Sequence, residues 1–183
     1  SVIPSNAFSG CIRLTSINFE SVQIIAYYAF TSCPKLSTVS CPSLLSIGEC
    51  AFQSCSALTS LYAPLLKSVG TRGLQNTRLT NVVLSLGQYA YNSAFANNPG
   101  MKLAEMRNVY QIGSYAFYMC SGLSTVIFET TSSNARIYPS AFAYCRTLLS
   151  LYLLTSMFAL QNATAFLSTP ISNYTTSTGG VYG

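Results

Sequence analysis

A repeat of about 22 residues runs through this chain and leaves little freedom in how it can fold. An aliphatic residue recurs at Ile3, Ile25, Ile47, Val69, Ala90, Ile112 and Ile137, in steps of 22, 22, 22, 21, 22 and 25. Four residues on stands a small residue: Ala7, Ala29, Ala51, Gly73, Ala94, Ala116 and Ala141. A large one follows it: Phe8, Phe30, Phe52, Leu74, Phe95, Phe117 and Phe142. Next comes a column of two residue types, Cys11, Cys33, Cys55, Asn76, Asn98, Cys120 and Cys145. Three residues later begins an apolar-x-x-apolar-x-apolar pattern, as in Leu14/Ile17/Phe19, Leu36/Val39/Cys41 and Leu123/Val126/Phe128.

One such unit cannot bury its own apolar face, whereas stacked units share a continuous core. The spacing therefore predicts a solenoid of about seven repeats over residues 1–170. One parallel strand per unit lies about 4.8 Å from the next. The Ala-Phe pair is expected on a short helical or 3₁₀ turn, preceded by a second short extended piece around Val69 and Ile112. The 21-residue step is assigned to a residue lost between Leu74 and Asn76, and the 25-residue step to an insertion around Thr130–Asn134. An eighth unit keeps the pair Ala165-Phe166, but no matching strand is expected after it. Residues 171–183, rich in Thr and Gly at their end, are expected to form a flexible tail. The chain opens at Ser1-Val2-Ile3 with neither a start Met nor a signal peptide, as a mature protein or an excised fragment would.

Composition narrows the chemistry. Half of the residues are hydrophobic, yet no apolar run approaches the ~20 residues of a membrane span, so no membrane insertion is expected. Charged residues make up 7%, and the net charge of +5 comes from dispersed Lys and Arg, without the basic cluster that nucleic acid requires. The sequence contains no His, Asp or Trp. That removes Ser-His-Asp and Cys-His catalysis, His-containing zinc sites and Asp-based calcium loops. No enzyme, metal or cofactor is expected.

The strings Ile112-Gly113-Ser114-Tyr115-Ala116-Phe117-Tyr118-Met119-Cys120-Ser121-Gly122-Leu123 and Ile47-Gly48-Glu49-Cys50-Ala51-Phe52-Gln53-Ser54-Cys55 resemble the BspA-like class of leucine-rich repeats over roughly residues 3–154. That resemblance implies a right-handed leucine-rich-repeat solenoid with parallel strands on one side. It also implies a secreted or cell-surface protein linked to adhesion, and it brings no shared active site.

Five of the seven cysteines fall in the Cys/Asn column, which is read as a buried ladder in which thiol or amide satisfies loop backbone groups. Stacked neighbours lie near disulfide distance, but parallel side chains make poor bridge geometry. Free buried thiols are therefore expected. Cys41, at the end of a strand pattern, is placed in the core. Cys50 shares a column with Asn6, Tyr28, Arg72, Ser93, Tyr115 and Ser140, and is expected to be exposed.

Residues between the apolar strand positions face outward. The middle of the sheet should thus expose Tyr62, Val83, Leu103, Ile127 and Tyr152, fringed by Glu105, Arg107 and Glu129. An apolar patch framed by charges is a binding signal, and thirteen tyrosines fit a recognition surface; ordinary β-propensity on a solvated face would give the same residues. Two sequons occur, at Asn162 and Asn173. The expected function is a surface module binding a protein or glycan, such as host extracellular matrix or a cell surface. The alternative is a structural spacer whose open ends associate with other copies end to end.

Overall fold

The computed structural model describes residues 1–153, 159–160, 163–166, 168–171, 173–176 and 181–182. Its strands are, in chain order, β1 (Val2–Ile3), β2 (Ser16–Asn18), β3 (Ile24–Ile25), β4 (Thr38–Ser40), β5 (Ser46–Ile47), β6 (Ser60–Tyr62), β7 (Ser68–Val69), β8 (Asn81–Leu84) and β9 (Tyr89–Ala90). They continue as β10 (Leu103–Met106), β11 (Gln111–Ile112), β12 (Thr125–Phe128), β13 (Arg136–Ile137), β14 (Ser150–Leu153), β15 (Ala159–Leu160), β16 (Asn173–Thr176) and β17 (Val181–Tyr182).

Each turn of the chain contributes one strand to each of two faces. The narrow face is an unbroken parallel sheet in the order β1-β3-β5-β7-β9-β11-β13-β15. The wide face carries the longer strands and is divided, with β2-β4-β6 on one side and β8-β10-β12-β14-β16-β17 on the other. Register follows the repeat: Ile17 pairs with Val39 and Val39 with Leu61, then Val82 with Ala104, Ala104 with Val126 and Val126 with Leu151.

The core is built one layer per turn. Ile25, Ile47, Val69, Ala90, Ile112 and Ile137 seal the narrow face from inside. Phenylalanine rings stack through the centre almost parallel, Phe8 on Phe30 at 5.0 Å and Phe30 on Phe52 at 5.2 Å. The run resumes with Phe95, Phe117, Phe142 and Phe166 at 5.0, 5.2 and 5.2 Å. Leu74 interrupts it in the fourth unit. At the corner after the narrow strands the backbones approach closely: a Cβ on Gly70 would lie 2.7 Å from the Gly48 carbonyl carbon.

The expected helical turns do not form around the Ala-Phe pair in the seven regular units. Each such segment is a chain of β-turns closed by i→i+3 bonds, such as Cys11 N–H to Phe8 C=O at 3.2 Å. The cause lies in the backbone. Asn6, Tyr28, Cys50, Arg72, Ser93, Tyr115 and Ser140 all have φ between 52 and 60°. A second left-handed column, Gly10, Ser32, Ser54, Asn76, Asn97, Met119 and Tyr144, follows four residues later. A right-handed helix cannot propagate through left-handed residues at that spacing. The one 3₁₀ helix among the described residues is at Ala163–Phe166.

The strand pattern does not stop where the sequence suggests. Asn173–Thr176, expected to lie in a structureless tail, forms β16 and pairs in parallel with β14, Leu151 opposite Tyr174 and Leu153 opposite Thr176. Ile171 packs on the core as the unit's leading apolar residue. Its pattern went unseen because Thr176 stands where other units carry an apolar side chain. β17 then pairs antiparallel with β16. Residues 177–180 and Asn162, and with them the rest of the tail and the first sequon, lie outside the described residues; Asn173 is in β16.

Candidate functional site

Alternation along a strand points successive side chains to opposite faces, and on the wide face this brings most of the expected residues together. Val83, Glu105, Ile127 and Tyr152 are direct cross-strand neighbours in one row over β8, β10, β12 and β14. Leu103 lies in the adjoining row, between Asn81 and Thr125. Val83 is 52% exposed and Tyr152 36%, while Leu103 and Ile127 are half-buried by their neighbours. Tyr62, 58% exposed, is not part of this row: it belongs to β6, on the far side of the division in the sheet.

The expected charged fringe is engaged with itself. Arg107, just past the end of β10, donates to Glu105 at 3.0 Å and to Glu129 at 3.1 Å, so one guanidinium bridges two carboxylates. Such an exposed trio contributes little to stability. It leaves an anionic excess of one charge beside an otherwise uncharged row.

The division of the wide face has no counterpart in the sequence expectation. β6 and β8 are edge strands, and between residues 59–64 and 79–85 no backbone hydrogen bond forms. A cleft of about 410 Å³ opens there, with Leu61 and Tyr62 on one wall and Asn81 and Val83 on the other. Behind it the narrow face is intact, Val69 pairing with Ala90. The cause is the short fourth unit. Its missing residue falls between Thr77 and Leu79, not between Leu74 and Asn76 as the sequence suggested. The turn entering β8 is therefore one residue short, and Arg78 N–H bonds Leu58 C=O at 2.8 Å instead of following the regular register.

The same shift corrects the ladder. Asn76 is exposed with φ 57°, and Thr77, 2% exposed, takes the inward position. Cys11, in the first unit, is only partly buried, whereas Cys33, Cys55, Cys120 and Cys145 are buried. The thiols of Cys33, Cys55, Cys120 and Cys145 lie 3.0–3.2 Å from the carbonyls of Phe8, Phe30, Phe95 and Phe117, one turn back in the stack. Asn98 does the work of two: its amide donates to Leu74 C=O at 2.9 Å and Phe95 C=O at 2.8 Å. Its oxygen accepts from Leu79 N–H at 3.2 Å and from the Thr77 hydroxyl. All seven cysteines are free thiols. Burial pushes Cys55 and Cys145 up to about 12, and Cys120 well above its ordinary value.

Cys50 is not an exposed thiol: it is 1% exposed. Its column is left-handed throughout, and its thiol lies beside the Tyr28 phenol of the preceding unit. That contact is the main cause of the raised Tyr28 phenol. A cluster of tyrosines on the narrow face also escaped notice. Tyr89 stacks on Tyr91 at 5.7 Å and on Tyr110 at 5.8 Å, with Tyr91 and Tyr110 exposed. Its sequence signal, Tyr in neighbouring columns of adjacent units, is visible only once the register is known.

Among the described residues no group of three His, Cys, Asp or Glu side chains could hold a metal ion, and no helix is long and apolar enough to cross a membrane.

The model of the BspA type leucine rich repeat region matches residues 1–102 and 85–179, with six copies. No curated protein matches the sequence. Among solved structures, the T. pallidum leucine rich repeat protein is similar at 24% identity with a TM-score of 0.56, over 82% of this chain and 61% of that one. A leucine-rich repeat protein from Bacteroides ovatus is similar at 20% identity and a TM-score of 0.47, over 92% of this chain and 68% of that one. A leucine rich cell surface protein from Faecalibacterium prausnitzii gives 18% identity and 0.47, over 96% and 68%.

Proposed function

The chain belongs to the BspA-type leucine-rich repeat family, and from that premise we propose that it is a non-catalytic binding module. It is secreted or displayed at a cell surface, and engages a protein or glycan through its wide face. The observation that carries this is the aligned row on paired strands in which Val83, Ile127 and Tyr152 flank a single, ion-paired Glu105, with Tyr62 across the cleft. A rigid sheet presenting tyrosine and aliphatic side chains offers contact area at low entropic cost. Glu105 within the row is neutralised by Arg107, which with Glu129 lies at the rim. The test is a triple variant, Tyr62→Ala, Ile127→Ala and Tyr152→Ala, screened with the parent against immobilised matrix proteins and glycans. Binding by the parent and at least a tenfold loss in the variant, with unchanged circular dichroism, is the expected result. Equal binding by both would remove the wide face from consideration.

A second reading, a self-assembling spacer, has one observation in its favour. The first unit leaves Phe8, Leu14 and Phe19 only partly buried and Ile12 65% exposed. At the other end, antiparallel β17 covers the edge of β16. End-to-end association of copies would show as concentration-dependent growth in sedimentation over a concentration series.

A further inference from the structure

We propose that the division of the wide face is a site for an extended, uncharged segment of a partner polypeptide, held as an additional strand between β6 and β8. This rests on the binding-module reading and names the class of partner.

Hydrogen-bond alternation shows which groups face the gap. In the paired part of the stack, Cys41 N–H reaches forward to Tyr62 C=O at 2.9 Å, and Ser60 N–H reaches back to Ser37 C=O at 3.3 Å. Stepping by two along each strand, Leu61 turns its N–H and C=O forward into the gap. Asn81 and Val83 turn theirs back into it. Two rows of unpaired donors and acceptors therefore face each other, on strands that run in the same direction. Unpaired strand edges are templates for a further strand, and here one segment would satisfy both at once.

Burial supports the opening independently. Leu61 is only partly buried, although its counterparts Ile17, Val39, Val82, Ala104, Val126 and Leu151 are at most 8% exposed. The walls contain no charged side chain. A charged residue entering the cleft would lose hydration without finding a partner, so the segment is uncharged where it inserts. Tyr62 and Val83 stand at the rim, placed to contact its outward side chains. The volume of about 410 Å³ is within the ~300–1,000 Å³ of ordinary ligand clefts.

The test uses the whole chain and a phage library of randomised seven-residue peptides, with selected sequences synthesised with capped ends for calorimetry. Leu61→Pro and Val83→Pro each delete one N–H that faces the gap and none that pairs with β4 or β10. Each should weaken peptide binding at least tenfold with little change in melting temperature. Insertion of an Ala between Thr77 and Arg78 restores the 22-residue step and should abolish binding by closing the sheet. If a proline variant loses its fold, N-methylation of the peptide gives the same information: binding should fall at every central position, since both edges are engaged.

A selection yielding no binder, or binders indifferent to both prolines and to N-methylation, overturns the inference. If those indifferent binders are lost in the Tyr62/Ile127/Tyr152 variant, the wide-face reading survives without the inserted strand. If no peptide binds but the chain dimerises, and the prolines abolish the dimer, the occupant is a second copy and the proposal fails. If peptides, matrix proteins and glycans all fail to bind, the binding-module reading falls with it.

Discussion

The carbonyls of Phe8, Phe52, Phe117, Phe142 and Phe166 accept the N–H three residues on, and those of Phe8, Phe30, Phe95 and Phe117 lie against a thiol from the next turn. Cysteine suits the position because it fills the volume of a small hydrophobe and still offers a weak donor. Replacing Cys145 with Ala should cost about 1–2 kcal/mol in urea unfolding, from the lost volume and the lost hydrogen bond. Replacement with Ser should cost less where the hydroxyl reaches Phe117 C=O. Burial also raises Cys55 and Cys145 to about 12, above the ~8.5 of an unfolded thiol. The native state then keeps protons that the unfolded chain has lost. This contribution is intact below about pH 8.5 and declines towards pH 12, by about 1.4 kcal/mol per pH unit for each thiol. Urea midpoints at pH 8 and pH 10.5 should show the decline, and Cys55→Ala or Cys145→Ala should flatten it. Among the rings, Phe117 stacks on both neighbours; Phe117→Ala should cost about 3–5 kcal/mol. Phe117→Leu should cost less, since Leu74 already occupies the equivalent position.

At the scale of the element, the turn segments are set by left-handed residues as much as by their apolar ones. Arg72, exposed with φ 56°, has no side-chain burial to offset its conformation. Arg72→Gly should raise stability by up to ~1 kcal/mol and Arg72→Val should lower it, both readable from thermal unfolding. These positions explain what the sequence could and could not disclose. The Ile25, Phe30 and Val39 columns were legible because burial repeats once per turn and admits few residue types. The left-handed columns hold Asn, Tyr, Cys, Arg, Ser, Gly and Met, types with no common burial or polarity, so the sequence column of Cys50 does not disclose that it is buried. Asn76 was placed in the ladder on its residue type, whereas the backbone puts Thr77 there. From the 21-residue step a short unit was evident, but the place of the deletion decides whether a turn or a strand pairing absorbs it. Of the candidate face, the row Val83, Ile127 and Tyr152 followed from alternation alone. The separation of Tyr62 required the pairing.

For the molecule as a whole, one lost residue leaves a continuous narrow sheet and a divided wide one. The stack thus has an unbroken spine and a single opening among the described strands, flanked by uncharged side chains. The proposed function and the inserted strand both depend on that asymmetry. Native-state amide exchange followed by NMR tests it most directly. The account predicts that the amides of Leu61, Asn81 and Val83 exchange at least a hundredfold faster than those of Val39, Thr125 and Ile127 at the same positions in paired strands, while Ala90 and Ile112 on the narrow face stay protected. Uniform protection of Leu61, Asn81 and Val83 with the rest would show the wide sheet closed and contradict the account.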